Sequence, residues 1–548
     1  MLIDLLDFLG SAPQFTIPGR TFPVEVYFNK NVNMDYVENA VKQVLTIHLT
    51  NSKQGKEFVN DGDILVFMTG QEDIEITCDL IKEKLNLLED PPPLSIYPIY
   101  STMPQDLQKK IFNKKNNKRR KVVVATNIAE TSLTVDGIKY VIDCGLVKVK
   151  VYNPKLGMDT LQVVPISLAN ADQRSGRAGR TGPGIAYRLY TERATDQDCM
   201  YLQPIPEIQR TNLSNIMLML KSLKIQDINQ FQFLDSPPKD LLNCSLYDLW
   251  IIGALDNLGN LTKLGESMTQ FPIEPTLSKL ILLSSQYQFH CSEEILTIVA
   301  MLSVPNIYHR PKERSQEADQ AREKFIISES DHLTLLNVFN QWNTNLTKFK
   351  NNYTKINNWC GKNFLQLKSL YRAKDIKHQL MLIMKKLKIP ILKSRNDEDI
   401  KKCLCASFYQ QSAKLNKSSL NGQPEFINLR HNYIKMYLHP TSCLLESNLS
   451  SNYVIYHELI LTKKEYMNYV TCVDPLWLLE FGYKFYGVSE NYKGKIDEYL
   501  VDKKKSFEEE LVKDKQVYQD NQDMQSKRRI TDKPVVKSNS LFKKRRGI

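Results

Sequence analysis

No apolar run in this 548-residue chain approaches the ~18–20 residues that a helix needs to cross a bilayer, so no spanning helix is expected. The amino terminus, Met1-Leu-Ile-Asp-Leu-Leu-Asp-Phe-Leu-Gly10, is apolar but acidic, without a basic leading segment or a small-residue cleavage site. It does not read as a signal peptide. Cysteine occurs ten times, yet never as C-x2-C; Cys403 and Cys405 form a C-x-C with no histidine or second pair at zinc spacing. The thiols therefore read as reduced residues of an intracellular protein, most of them filling cores. The phosphate-cradling loop G-x-x-x-x-G-K-[ST] is missing too. Gly55-Lys56 is followed by Glu57, Gly361-Lys362 is followed by Asn363, and no Asp-Glu-Ala-His string occurs.

What the chain does have is length enough for about three to five domains, a hydrophobic content of 42% and a net charge of +12. That balance is compatible with a nucleic-acid partner but does not require one. Over residues 1–200, short β-rich runs alternate with helical patterns. Asp63–Met68, Leu94–Tyr100, Lys121–Ala125 and Tyr140–Asp143 read as strands, and Gln71–Leu88 as a helix with Ile74, Cys78, Ile81 and Leu85 inward. Such alternation predicts a parallel sheet covered on both faces, with ligands at the carboxyl ends of its strands. Val147–Val164 alternates on both sides of a Pro and Gly turn and predicts a β-hairpin. Residues 205–395 are mainly helical, broken by a turn-rich segment at Leu255–Gly265 that suits the wing of a winged helix. Residues 400–490 carry short strands, such as Tyr433–Leu438 and Tyr453–Leu461, and suggest a small barrel. Residues 491–548 hold long charge runs and little core material, so they are expected to be partly helical and otherwise disordered.

One string stands apart: Asn170-Ala-Asp-Gln-Arg-Ser-Gly-Arg-Ala-Gly-Arg-Thr-Gly-Pro-Gly184. Placed on a helix over 171–180, Gln173, Arg177 and Arg180 fall at i, i+4 and i+7, within roughly 60° of arc. Glycine inside a helix costs about 1 kcal/mol relative to alanine. Gly176 and Gly179 flanking that face are then expected to admit close approach of a compact polyanion, which guanidinium forks bind better than ammonium groups.

The string Gln173-Arg-Ser-Gly-Arg-Ala-Gly-Arg180 resembles motif VI of the superfamily 2 helicases of the DEAH-box class. Ala125-Thr-Asn-Ile-Ala-Glu-Thr-Ser-Leu-Thr-Val-Asp-Gly137 resembles their motif V region, and Phe67-Met-Thr-Gly-Gln-Glu-Asp-Ile74 their motif IV, with Thr69 where many relatives have Pro. The resemblance runs from about residue 12 to 490. It implies a multidomain chain mixing α/β, α and β parts: a second RecA-like domain at 1–200, a winged helix at 201–270, a helical bundle (ratchet) at 271–395 and an OB-fold barrel at 396–490, followed by a charged, largely disordered tail at 491–548.

By position, the resemblance makes Arg177 and Arg180 arginine fingers on the β/γ-phosphates of ATP, with Gln173 holding the attacking water. Asp136 and Gly137 would sense the γ-phosphate, and Phe112 would stack on adenine. Gly70 and Thr126 match positions that touch the RNA backbone, and the 147–164 hairpin matches the element that separates strands or grips RNA. The phosphate loop, and most of the hold on Mg2+, belong to a first RecA-like domain that the chain lacks. The expectation is a carboxyl-terminal portion, whether truncated, excised or genuinely short, that binds ATP poorly and does not hydrolyse it alone.

The barrel carries stacking candidates in Tyr433, Tyr437, Tyr453, Tyr456 and Tyr466, with Lys435, Lys463 and Lys464 among them. Leu438-His-Pro-Thr-Ser-Cys443 resembles a family landmark there. Asn113–Lys121 reads as a basic loop. Arg310–Arg314 and Asp319–Phe325 resemble family stretches near the RNA exit. Ser526-Lys-Arg-Arg529 and Lys543-Lys-Arg-Arg546 suit a nuclear import signal or an RNA-binding tail.

Ile17–Glu25, Lys148–Pro154, Gly157–Asp159 and Ala169–Ser175 most resemble the splicing member acting around the second transesterification step. The implied partners are single-stranded RNA or pre-mRNA, spliceosomal proteins and a glycine-rich-patch activator, in the nucleus and without a membrane. A ribosome-assembly helicase fragment and a non-catalytic RNA- or protein-binding module are the alternatives.

Overall fold

The computed structural model describes residues 8, 10, 13–15, 22–31, 35–50, 61–89, 91–100, 103, 119–131, 135–196, 199–225, 227–311, 314–394, 396–416, 424–445, 451–462, 464–487 and 501–516. The amino-terminal lobe is built on six parallel strands in the order β1-β8-β5-β2-β4-β3. They are β1 (Val24–Phe28), β2 (Asp63–Phe67), β3 (Leu94–Ile99), β4 (Arg120–Ala125), β5 (Ile138–Asp143) and β8 (Gly184–Arg188). All five residues of β2 are buried, as a strand paired on both edges and covered on both faces requires.

Helices α1 (Tyr36–Thr50) and α2 (Gln71–Asn86) cover one face, burying Val41, Val44, Ile74 and Ile81 against Ile64, Val66 and Ile142. The opposite face buries Leu65, Phe67, Val123, Val141 and Ala186 together with Ala129 and Ala178. It is covered by the short helix α3 (Ile128–Thr131), by α4 (Leu168–Ser175) and by the turns after α4. Strand β4 starts at Arg120, one residue before its expected start, and so takes in the end of the expected basic loop: Arg120 is fully buried, pairs with Asp61 and donates to Ile47 O at 3.0 Å.

The hairpin forms as expected, with β6 (Leu146–Asn153) antiparallel to β7 (Met158–Pro165) around a turn in which Gly157 takes φ +63°. It also reaches out of its lobe. Strand β7 pairs in parallel with β12 (Tyr453–Leu461), through Asp159 and Ile460, and so joins the barrel strands β9 (Ser412–Leu415), β10 (Glu425–Asn428), β11 (Lys435–Leu438) and β13 (Glu465–Cys472) in one seven-stranded sheet. Tyr152 enters the core of the helical region, and Met158 enters that of the barrel.

Between the lobes the chain is helical, beginning with α5 (Ser214–Ser222) and α6 (Lys239–Ile251). The turn-rich segment closes by an antiparallel bridge between Leu255 and Leu261, and Thr262 then caps Lys263–Met268 by accepting from Gly265 N at 3.0 Å. One apolar cluster runs without a break from Leu213 and Leu249 through Leu280, Ile298 and Leu404 to Leu478. Residues 501–516 supply a helical part of the charged tail, as expected, and add a packed contact that the sequence did not announce. They form a helix whose Phe507 is buried against Trp250 and Tyr483. No described helix is long and apolar enough to cross a membrane.

Candidate nucleotide and RNA interface

Helix α4 starts where Ser167 accepts from Asn170 N at 3.2 Å. It stops at Ser175, five residues short of the expected end. Beyond it the hydrogen bonds tighten to i→i+3: Arg177 N to Arg174 O at 3.1 Å, Ala178 N to Ser175 O at 3.0 Å and Gly179 N to Gly176 O at 3.3 Å. The single helical face drawn through Gln173, Arg177 and Arg180 is therefore corrected to a helix end followed by a tight turn.

The reason for the glycines is corrected as well. A Cβ on Gly179 would lie 2.5 Å from Phe22 O and 2.8 Å from Val24 Cγ2, because the chain entering β1 crosses there and Phe22 N bonds Gly179 O at 2.9 Å. Gly176 is exposed and has only Asp172 O and Gln173 O near its Cβ position. Packing against β1, rather than room for a ligand, demands Gly179.

The turn still brings the two arginines together. Arg177 and Arg180 line one small pocket with Leu65, Ala129, Val135 and Ile138 on the α4 face of the sheet. Arg177 is buried and Arg180 exposed. Burial, and after it the neighbouring Arg180 cation, lower the Arg177 pKa, with Glu130 opposing them. Two like charges, one of them desolvated, make a place where a bound anion is stabilised.

Ile138 opens β5, and Asp136 and Gly137 precede it, both exposed. Gly137 takes φ +85°, and its carbonyl accepts from Asp63 N at 2.9 Å. Asp136, Gly137, Arg177 and Arg180 thus gather toward the amino ends of the strands, not at the carboxyl ends where ligands of such a sheet were expected. Gln173 is exposed on α4. Phe112 lies outside the described residues.

The carboxyl ends hold the other group. Gly70 and Thr126 follow the ends of the adjacent strands β2 and β4, where Met68 N bonds Ala125 O at 2.8 Å. Gly70 caps α2 from an extended conformation, and a Cβ there would meet only Lys148 Cδ of the hairpin, at 3.8 Å. A bare backbone beside a lysine suits phosphate contact.

The residue that sequence reasoning missed is Arg174. It is 1% exposed and bonds Asp143 Oδ1 at 2.7 Å, Glu130 Oε2 at 3.2 Å and Leu146 O at 3.3 Å, over the ring of Phe67. Burial lowers the pKa of such a group, but here Asp143 and Glu130 outweigh it and hold the guanidinium well above its usual range. The one sequence hint is Asp143 itself, an acid closing an otherwise apolar strand.

On the barrel, Tyr433 is 72% exposed, whereas Tyr456 is 4% exposed and its hydroxyl accepts from Asn428 Nδ2 at 3.2 Å. Tyr437, Tyr453 and Tyr466 are half-buried. Lys435 is exposed and pairs with Glu425 at 3.3 Å. Lys464 lies 4.6 Å from the Tyr437 ring centre. Lys463 lies outside the described residues. In the His439–Cys443 segment, Ser442 Oγ and Cys443 N donate to Asp331 at 2.7 and 2.8 Å and pin the barrel to the start of the helix Asp331–Lys348. Among the described residues no group of three His, Cys, Asp or Glu side chains could hold a metal ion.

Residues 42–182 match the helicase conserved C-terminal domain and residues 245–273 the winged-helix part of the helicase associated domain. Residues 274–335 match the ratchet-like part of that domain, and residues 400–485 the oligonucleotide/oligosaccharide-binding (OB) fold. The chain is 46% identical over 476 residues to the pre-mRNA-splicing factor ATP-dependent RNA helicase prp22 of Schizosaccharomyces pombe, an alignment covering 86% of this chain. It spans 38% of the length of that relative. Four successive domain matches and this identity make the chain a counterpart of the carboxyl-terminal portion of a DEAH-box helicase like that relative.

Proposed function

We propose that this chain is the carboxyl-terminal module of an ATP-dependent, 3′-to-5′ RNA helicase that remodels RNA–protein complexes in pre-mRNA splicing, in the nucleus. The observation that carries the reading is the convergence of Arg177 and Arg180 on one pocket beside Asp136 and Gly137. Two adjacent guanidinium groups fit a polyphosphate, and stabilising charge on the transferred phosphoryl group is what arginine fingers supply. Arg180, which is exposed, would reach a nucleotide held on a facing lobe that carries the phosphate loop. Mg2+ would be held by the nucleotide phosphates and by that lobe. Gln173, exposed one turn before Arg177, is the candidate for orienting water.

Gly70, Thr126 and the hairpin at the opposite strand ends would grip the RNA backbone, with the barrel surface around Tyr433 and Lys435 extending that path. Changes at the nucleotide would then shift the RNA-side loops and drive translocation. Spliceosomal proteins are the expected partners, since the fission-yeast relative is a pre-mRNA-splicing factor. A glycine-rich-patch activator remains the expected regulator of the class.

The test joins this chain to the phosphate-loop lobe of the fission-yeast relative and measures RNA-stimulated ATP hydrolysis. The reading requires stimulation by single-stranded RNA and its loss, by about 10³-fold or more, in Arg180→Ala. Stimulation that survives Arg180→Ala unchanged overturns it.

A further inference from the structure

Arg174 touches four separate segments of the amino-terminal lobe. Its Nε donates to Glu130 Oε2 at 3.2 Å, in α3, four residues after Thr126. Its Nη1 donates to Asp143 Oδ1 at 2.7 Å, at the last residue of β5. Nη1 and Nη2 reach Leu146 O at 3.3 and 3.4 Å, at the first residue of the hairpin. The guanidinium carbon stands 4.9 Å from the ring centre of Phe67, the last residue of β2 and three residues before Gly70.

Each of these neighbours is itself held. Asn170 of α4 also donates to Glu130. Asp143 Oδ1 also accepts from Gly145 N at 2.9 Å, in a turn where Gly145 takes φ +75° and a Cβ would strike Tyr190 at 2.4 Å. On its other side, the Arg174 carbonyl accepts from Arg177 N at 3.1 Å, at the start of the arginine turn.

We propose that Arg174 is a positioning residue that makes the Arg177–Arg180 turn and the root of the β6–β7 hairpin open and shift as one unit. Helix α4 and its following turn run down the sheet face, with Arg174 at the carboxyl end of β5 and Arg177 and Arg180 near Ile138 at its amino end. A displacement of the arginine turn is thereby passed over a few residues to the hairpin, to α3 and to the strand ends that carry Gly70 and Thr126. The planar fork spreads its donors over Nε, Nη1 and Nη2 and so reaches acceptors on three segments at these separations, whereas an ammonium presents its three donors from one atom. Calling the two ends nucleotide-side and RNA-side rests on the function proposed above, whereas the mechanical link does not.

The test is amide hydrogen exchange of the full 548-residue chain, followed by mass spectrometry. Single removal of Arg174 would strand two buried carboxylates and threatens the fold. The main variant is therefore Arg174→Met combined with Glu130→Gln and Asp143→Asn. It removes the fork and both opposing charges, but leaves carbonyl oxygens for Asn170 and Gly145. Arg174→Lys is the second variant and keeps the charge without the fork.

In the unsubstituted chain, segments 144–150 and 176–181 are expected to show a common protection factor, the signature of one cooperative unit. In both variants their protection factors should separate by about tenfold or more, while α1 and β2 keep theirs. Unequal protection in the unsubstituted chain overturns the proposal. So does equal protection in Arg174→Lys, or in the triple variant where it folds.

A second arm adds a 15-nucleotide oligouridylate. Bound RNA should raise protection at both segments in the unsubstituted chain and only at 144–150 in the variants; an equal rise at 176–181 in the variants counts against the link. Absence of RNA binding by the unsubstituted chain would count against the functional reading, with the link still decided by the RNA-free arm.

Discussion

The ring of Phe507 lies 6.2 Å from that of Trp250, so a helix from the charged end of the chain closes over the winged-helix region. Tyr483 meets the same ring edge-on at 5.7 Å, and Lys484 lies 5.1 Å from it. Around this anchor the ties are polar: Asn257 Nδ2 to Asp514 Oδ2 at 2.6 Å, Lys503 Nζ to Glu480 O and Lys504 Nζ to Tyr486 O, both at 3.2 Å.

Helical stability comes mostly from packing of an apolar face, and among residues 501–516 Phe507 is the one buried apolar side chain. Phe507→Ala should therefore release the helix rather than unfold the protein. Truncating a buried Phe costs about 3–5 kcal/mol in a closed core, and less where one wall can lift away. Exchange of amides 501–516 should accelerate by about tenfold or more, with the barrel strands unchanged. Equal acceleration throughout the barrel would show that the helix is part of the global core instead.

The glycines of the arginine string should separate sharply under substitution. Gly179→Ala places a methyl 2.5 Å from the Phe22 carbonyl and 2.8 Å from Val24, contacts that backbone must move to relieve. A loss of about 1–3 kcal/mol is expected from such overpacking. Gly176 has helical dihedrals, φ −59° and ψ −16°, and its nearest would-be neighbour is Asp172 O at 3.2 Å. There alanine should be tolerated, with a change within about 1 kcal/mol of zero. Urea midpoints of the two variants measure both; similar losses at the two positions would contradict the packing described here.

These two glycines also show where sequence reasoning reaches its limit. The central strands were legible because fully buried parallel strands write continuous β-branched runs, as in Val122-Val-Val124. Edge strand β1 was not, since Val24-Glu-Val-Tyr-Phe28 is half-exposed and carries no such run. The arginine string pointed to a candidate anion site through residue type and spacing. The end of its helix could not be read locally, because it depends on Phe22 crossing Gly179 some 150 residues away in sequence. Arg174 was opaque for the same reason: its partners Glu130 and Asp143 become neighbours only when β5 and α3 are in place. The docking of 501–516 turns on a single Phe in a charged run, too little apolar pattern to predict.

Acid should destabilise the protein through its buried histidines. His332 is fully buried, its Nδ1 pairs with Thr471 Oγ1 at 2.8 Å, and its ring stacks on Phe408 at 5.8 Å. Burial, and then the neighbouring His457, depress its pKa to about 3, below its ordinary 6.5. Burial likewise lowers His48, His431, His439 and His457. A base with a depressed folded-state pKa takes up protons on unfolding, so its contribution is complete above pH 6.5 and is lost as pH falls toward 3. In that window His332 alone should remove up to about 1.4 kcal/mol per pH unit. His332→Leu forfeits the Thr471 bond and lowers stability at neutral pH, but its stability should fall less steeply between pH 6.5 and 4.5. Parallel slopes for the two proteins would assign the acid sensitivity elsewhere.

The barrel tyrosines offer the sharpest separation of binding from packing. Tyr433 is 72% exposed, stands 5.8 Å from the His431 ring and closes no core, so Tyr433→Ala should leave thermal stability nearly unchanged. If its face stacks on a base, the substitution should weaken binding of oligouridylate by about 1–3 kcal/mol, or roughly five- to 150-fold in affinity. Tyr456 lies in the barrel core beside Met436, its hydroxyl bonded by Asn428. Tyr456→Phe leaves a buried amide donor short of that acceptor and should cost about 1–3 kcal/mol of stability, with RNA affinity of the folded protein retained. Fluorescence anisotropy with labelled oligouridylate, beside thermal denaturation of the same samples, resolves the two effects. The assignment of the RNA path to this face of the barrel fails if Tyr433→Ala binds as tightly as the unsubstituted chain.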